Sequence, residues 1–326
     1  MRLLQRRKLH GLQKLMGDPL VIGTRGSPLA LRQAEAVREA IERRWPGLEV
    51  RLEIIRTQGD RFLDAPLAAV GGKGLFVKEI EESLLAGRAD LAVHSLKDVP
   101  AETAAGLTFG AIPARENPCD ALVSRRGERL AELPPGSRVG TSSLRRAAQL
   151  RRLRPDLELL PVRGNVETRL RKLESGDLDA VVLAAAGLNR LGLAARICER
   201  FEPERLLPAV GQGALCVQIR EGDPRTAERV APLDHAPTRT VVAAERAFLQ
   251  RIGGGCQVPI AGFAVLEGEA IELRGLVADL NGERLVSGAI RGHAGRAQEL
   301  GAALAEELLE RGAADILAAL GAKGRP

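Results

Sequence analysis

The sequence has 326 residues, enough for two or three cores rather than one, and 45% of them are apolar, so the chain can fold as a globular protein. Aromatics make up only 2% (six Phe, one Trp, no Tyr), which leaves an aliphatic core and nearly excludes platforms for stacking nucleic bases. Of the formal charge of +6, five lie in residues 1–17, where Arg2, Arg6, Arg7, Lys8 and Lys14 stand without an acid; the other 43 basic and 42 acidic side chains nearly cancel, so net charge argues little for a polyanion partner.

Residues 1–17 have no continuous apolar stretch of secretory length and read as a basic extension, disordered or bypassed by a start at Met16, rather than as a targeting segment. No run of about 18 apolar residues occurs, so no membrane span is expected. Leu20–Gly23 is a buried strand, and Ser27-Pro28 opens a helix with Ser as cap and Pro in the first turn. Ala30, Ala34, Val37 and Ile41 recur along that helix at 3.6-residue spacing, while Val50, Leu52 and Ile54 alternate as in a strand. A loop with Gly71, Gly72 and Gly74 around Lys73 precedes a helix marked by Phe76, Ile80 and Leu84 that ends near Gly87. The strand Asp90–His94 then runs into Ser95-Leu96-Lys97-Asp98. This β-α-β-α-β order predicts a largely parallel sheet with helices on its faces.

The pattern restarts after the Pro-containing stretch 113–118. Val139-Gly140-Thr141-Ser142-Ser143 leads into a helix over 144–153, Leu159–Val162 is a strand, Asn165 caps a helix that stops at Gly176, and Ala180–Leu183 is another strand. Both halves therefore carry a strand, a Gly-Thr turn and a hydroxyl-capped helix, as expected of two similar α/β lobes facing a cleft. Residues 207–213 read as a crossover back to the first lobe. A helix over 238–251 then reaches Gly253-Gly254-Gly255-Cys256, followed by strands near 260–266, 270–278 and 284–290 and a last helix with Leu300, Leu304 and Leu308, a small α+β domain.

Helix N-termini offer unpaired N–H groups to anions. Arg25 stands in the first capped turn, Arg145 and Arg146 in the second, and Arg163, Arg169 and Arg190 at or near other strand-to-helix junctions. Taken singly, each arginine reads equally as a solvated or Glu-paired side chain and as a holder of a ligand carboxylate; together, at the strand ends where open α/β sheets bind ligands, they point to small carboxylated molecules. For Lys97-Asp98, spacing alone leaves open a surface turn and a carboxylate that faces the cleft to stabilise a cation. Cys256 follows three glycines, which reads either as a small residue in a tight turn or as an accessible nucleophile or attachment point. Cys119, Cys198 and Cys216 lie in apolar surroundings and read as buried packing residues; the scatter of all four cysteines, with no CxxC pair, predicts neither a zinc site nor a disulfide scaffold and fits a reduced, cytoplasmic setting. His10, His94, His235 and His293 are the only histidines, and none has a context marking a catalytic base.

Long motifs resemble the porphobilinogen deaminase (hydroxymethylbilane synthase) family: residues 23–31, 70–79, 92–100 (Ala-Val-His-Ser-Leu-Lys-Asp-Val-Pro), 139–146, 163–166, 207–214 and 254–259, in order from about Leu20 to about residue 320. The resemblance implies a transferase that joins four porphobilinogen units head to tail with loss of ammonia, giving hydroxymethylbilane for tetrapyrrole biosynthesis. It implies a dipyrromethane cofactor held by a thioether to Cys256, no metal, and Asp98 as the catalytic carboxylate that stabilises an azafulvene-like cation. It assigns Arg25, Arg145, Arg146, Arg163, Arg169 and Arg190 to the carboxylates of cofactor and substrate, Lys97 to the cofactor, and Ser27, Thr141, Ser142 and Ser143 to anion sites, with Ser95, Gly164 and Gln212 completing the binding set. Phe76 is expected to stack on a pyrrole ring, and the loop with Gly71, Gly72, Lys73 and Gly74 to cover the cleft. The implied fold is α/β: two periplasmic-binding-protein-like lobes with mostly parallel sheets plus a small C-terminal α+β domain. The divisions are 1–17, the extension; 18–113 with 212–233, the first lobe; 116–208, the second; and 236–326, the domain carrying Cys256. A cytoplasmic monomer without nucleic-acid or membrane partners is expected. A two-lobed binding protein for small carboxylates is the alternative, and it does not predict a glycine-flanked Cys256.

Overall fold

The computed structural model describes residues 18–61, 77–253 and 258–323. Strands β1 (Leu20–Thr24), β2 (Val50–Ile54), β3 (Leu91–Ser95), β4 (Leu107–Ala111) and β10 (Leu215–Arg220) form one sheet in the order β2-β1-β3-β10-β4. Strands β5 (Asp120–Ser124), β6 (Arg138–Gly140), β7 (Glu158–Leu160), β8 (Ala180–Ala184) and β9 (Glu199–Phe201) form a second in the order β7-β6-β8-β5-β9. In each, three strands are parallel and one strand, β10 or β5, runs against both its neighbours. Four of five strands therefore share a direction, as expected, but the pairings are mixed. The reversed strand is in both cases the first one laid down after the chain crosses between lobes, which is why local sequence pattern did not reveal it.

The inner parallel strands β3 and β8 are buried on both faces and read as continuous apolar runs: Leu91, Ala92, Val93 and His94 are all buried. Helix α1 (Pro28–Arg44) starts where the Ser27 hydroxyl accepts the Ala30 N–H, turns Ala34, Val37 and Ile41 onto the sheet, and carries Arg43 and Arg44 in its last turn, where cations suit the helix dipole. Helix α2 (Lys78–Leu85) covers the other face through Ile80 and Leu84. In the second lobe, α3 (Leu144–Leu153), α4 (Val166–Glu174) and α5 (Ala185–Arg190) follow β6, β7 and β8. After β10 come α6 (Pro224–Val230) and the long α7 (Ala236–Ile252).

Helix α7 packs with α8 (Ala297–Leu308) against an antiparallel meander of β11 (Ile260–Glu267), β12 (Ala270–Ala278) and β13 (Leu285–His293). Gly262, Gly275 and Gly288 stand in register across it, and a Cβ at Gly275 would fall 2.7 Å from the Phe248 ring; Gly262 and Gly275 form the slot that seats this fully buried side chain of α7, while Gly288 lies under Leu308 of α8. The sequence predicts one last helix; the structure breaks it at Gly312, at φ 105°, and continues as α9 (Ala314–Lys323). One buried carboxylate joins all three units. Glu245 of α7 pairs with Arg115 of the first crossover at 2.6 Å and accepts N–H groups from Gly211 of the second crossover (2.7 Å) and Ala264 of β11 (2.9 Å). Neither Arg115 nor Glu245 stood out in the sequence, because a lone Arg and a lone Glu 130 positions apart carry no local signature.

Candidate active site

The first lobe presents a small pocket of about 60 Å³ at the ends of β1 and β3, lined by Arg25, Ser27, Gln33, His94, Ser95 and Asp98 among others. The Ser27 hydroxyl is occupied as the α1 cap, 3.3 Å from the Ala30 N–H. Gln33 donates to the Ser95 hydroxyl at 3.0 Å; it interrupts the apolar stripe of α1 at a buried position, a polar residue whose spacing was the available clue to a site role. The side-chain amide of Gln218 donates to Glu81 at 2.9 Å and so turns its oxygen to His94 Nε2 at 3.1 Å, which places the imidazole proton on Nε2. Burial pushes His94 down to about 4 against the hydrogen bond it gives to Gln218, so the ring is neutral near pH 7 and cannot serve as a proton-loaded acid there. Asp98 ends the 3₁₀ turn that follows β3 and is exposed to the cleft.

The second lobe presents the equivalent turn after β6. Ser143 caps α3 by accepting the Arg146 N–H (3.4 Å), Thr141 accepts the Ser143 N–H (3.2 Å), and the Ser142 hydroxyl donates to Val162 O (2.7 Å). The guanidinium groups of Arg145 and Arg146, expected on ligand carboxylates, are engaged by protein in this structure. Both are 5% exposed and both bind the fully buried carboxylate of Asp120, Arg145 at 2.7 Å and Arg146 through Nε at 2.8 Å and Nη2 at 2.7 Å. Arg145 Nη1 also donates to Leu207 O and Arg146 Nη1 to Val182 O, so in this structure Arg146 spends all three nitrogens on protein. The physical reason is their place on the buried face of α3, where an unpaired guanidinium would be costly. Burial alone would raise the Asp120 carboxyl; the charges and hydrogen bonds of the two arginines outweigh it and hold it well below the usual carboxylate range. Asp120 was missed because a single acid opening an apolar strand is ordinary until two distant arginines converge on it.

Arg169 on α4 donates to Gly164 O at 2.9 Å, and burial, then the charges of Arg146 and Arg163, push it down to about 10 despite the opposing charge of Asp98. Gly164, at φ 99°, turns the chain directly ahead of the Asn165 cap. Arg190 is lowered by burial and donates to Gly213 O at 2.7 Å, on the second crossover. The lobes meet at Gln212: its oxygen accepts Lys97 Nζ at 3.3 Å, and its amide donates to Asp120 at 2.9 Å and Pro118 O at 2.7 Å. Lys97 is pushed down to about 8, first by burial and then by Arg146, against the pull of Asp98 and Asp120. Lys97 and Asp98 of one lobe thus share an electrostatic neighbourhood with Arg145, Arg146, Arg163 and Arg169 of the other.

Cys256, Phe76, Gly71, Gly72, Lys73 and Gly74 lie outside the described residues. Cys119 and Cys216 are buried as expected, whereas Cys198 is partly exposed and accepts the Ser124 N–H at 3.4 Å, correcting its reading as a buried packing residue. Among the described residues no group of His, Cys, Asp and Glu could hold a metal ion, and no helix is long and apolar enough to cross a membrane.

A two-lobed α/β protein with a cation-rich cleft and one exposed carboxylate is built to take polycarboxylated ligands. Residues 20–228 match the family model "Porphobilinogen deaminase, dipyromethane cofactor binding domain" and residues 239–310 match "Porphobilinogen deaminase, C-terminal domain". The chain is 53% identical over 296 residues to a porphobilinogen deaminase of Syntrophobacter fumaroxidans, covering 91% of this chain and 96% of that one. It is 56% identical over 307 residues to that of Nitratidesulfovibrio vulgaris strain Hildenborough (94% and 98%) and 55% identical over 303 residues to that of Roseiflexus castenholzii (93% and 100%). The chain belongs to the porphobilinogen deaminase family.

Proposed function

We propose that the protein is a hydroxymethylbilane synthase: a transferase that condenses four porphobilinogen molecules head to tail with loss of ammonia, in tetrapyrrole biosynthesis. Besides family membership, the observation that supports this reading is the gathering of Arg145, Arg146, Arg163 and Arg169 of one lobe around Lys97 and Asp98 of the other, where burial first and the neighbouring cations second bring Lys97 down to about 8 and Arg169 to about 10. Such a set is short of negative charge, and pyrroles bearing acetate and propionate groups supply it.

A dipyrromethane group fits this donor set, with Lys97, Arg163 and those N–H groups that Arg145 and Arg146 do not give to Asp120, Leu207 and Val182 on its carboxylates, and Cys256 as its attachment point. When bound, it supplies the primer to which each pyrrole is added. The chain's own residues do the rest. Arg25, Arg163, Arg169 and Arg190 hold substrate carboxylates, with Ser27, Ser95, Thr141, Ser142, Ser143, Gly164 and Gln212 shaping the anion sites. Asp98 accepts the pyrrole N–H and stabilises the positive charge left on porphobilinogen as ammonia departs. His94, neutral at pH 7, lets positive charge develop beside it without repulsion. The proposed acting unit is a cytoplasmic monomer.

The intact mass of purified protein tests this. It should exceed the sequence mass by a two-pyrrole adduct, and Cys256→Ser should lose both the adduct and turnover. A bare, active Cys256 would refute the reading and leave a two-lobed carboxylate receptor.

A further inference from the structure

Asp98 belongs by sequence to the first lobe, yet the turn that carries it is mounted on the third domain. Its flanking residues Leu96 (1% exposed) and Val99 (4%) pack in one apolar cluster with Val241, Val242 and Phe248 of α7. The backbone immediately beyond is held by Arg246 of the same helix, whose Nη2 donates to Pro100 O at 2.9 Å and Ala101 O at 2.7 Å. The guanidinium lies 4.9 Å from the centroid of the Phe109 ring on β4, a cation–π contact that fixes its plane. On the other side, the Leu96 N–H is tied to Ala214 O at 3.0 Å. The turn is therefore gripped on its N-terminal side by the second crossover, underneath by apolar side chains of α7, and on its C-terminal side by one charged group.

We propose that Arg246 is a positioning residue for the reaction: it fixes Asp98 in the cleft by holding the carbonyls of Pro100 and Ala101 from the third domain. It touches neither substrate nor reacting atoms. It acts through Asp98, and the proposal rests on the reading of Asp98 as the charge-stabilising carboxylate. A carboxylate stabilises developing charge only while its geometry is kept, and an ångström of misplacement costs about a hundredfold in favourable cases. Arg is the suited residue, since one fork serves two carbonyls while its face stays on an aromatic ring; Lys can serve one of them.

The test uses the full-length, adduct-bearing enzyme and four variants: Arg246→Leu, Arg246→Lys, Asp98→Asn and the double Asp98→Asn/Arg246→Leu. Intact mass and thermal unfolding establish that each carries its adduct and is folded. Arg246→Leu should lower kcat about 10- to 100-fold with KM changed by less than about threefold. Arg246→Lys should recover part of the loss. The double variant should be no slower than Asp98→Asn alone, because a residue acting through Asp98 has nothing left to act through. A parent-like kcat in folded, adduct-bearing Arg246→Leu overturns the proposal, as does a double variant slower by the full product of the two effects. Should Arg246→Leu not fold, Arg246→Lys decides: severalfold lower kcat at constant KM supports the assignment and a parent-like kcat overturns it. Parent-like turnover in Asp98→Asn would instead remove the reading of Asp98 on which the proposal stands.

Discussion

The two lobes share a strand order and differ in what they hang on it. After β3 the first lobe places the Lys97–Asp98 turn; after β8, the matching strand of the second, stands Ala185-Ala186-Gly187-Leu188, all buried. After β1 the first lobe has Arg25 beside a pocket; after β6 the second has Arg145 and Arg146 already bound to Asp120. One scaffold thus serves two electrostatic tasks. The first lobe offers the exposed carboxylate of Asp98 to the pocket, and the second holds guanidinium groups whose burial is made tolerable by a carboxylate of their own.

That contrast can be broken from either side. The largest expected effect is Asp120→Asn, which leaves two buried guanidinium groups without their counter-ion and should cost about 3–5 kcal/mol of unfolding free energy in urea titrations. Loss of under 1 kcal/mol would mean that the arginines find solvent or ligand instead. Asp98→Asn should do the converse, lowering turnover by about a hundred- to a thousandfold while the urea midpoint stays near that of the parent. His94 should give a pH signature confined to the first lobe. Its folded value of about 4 lies below its ordinary 6.5, so the unfolded chain binds the extra proton between those values. Stability is therefore full above pH 6.5 and falls by about 3 kcal/mol as pH drops to 4, a slope that His94→Gln should remove when unfolding is measured at pH 7, 5.5 and 4. The smallest effect sharpens the comparison. Ser27→Ala and Ser143→Ala each remove a helix cap and should each cost about 1 kcal/mol; a KM increase in only one of them would identify the hydroxyl that also meets ligand.

What the sequence made legible was local. Ser27-Pro28, Asn165 and the stripe Ala34-Val37-Ile41 mark their helices without tertiary help, and α3 begins and ends where its pattern does. Glycines flank Leu215–Arg220 on both sides, yet the orientation of β5 and β10 escaped because a strand's direction is set by which sheet the chain re-enters. The candidate site was legible as a set of residue types, since strand ends, caps and arginines recur on both halves. Which cations are already committed was not, because Asp120, Gln212 and Glu245 act only after segments 25 to 130 positions apart come together. Gln33 and Arg246 were open to a closer reading, being polar positions on otherwise apolar helix faces.

The reversed central strand has a consequence for how the molecule is made. The second lobe is contiguous, from β5 to β9, whereas the first lacks the strand between β3 and β4 until Arg220 has been synthesised. On the ribosome the later-encoded lobe can thus close first, while the earlier one waits with the inner edges of β3 and β4 unpaired. Aggregation during translation would be seeded by residues 91–111, not by the lobe still emerging.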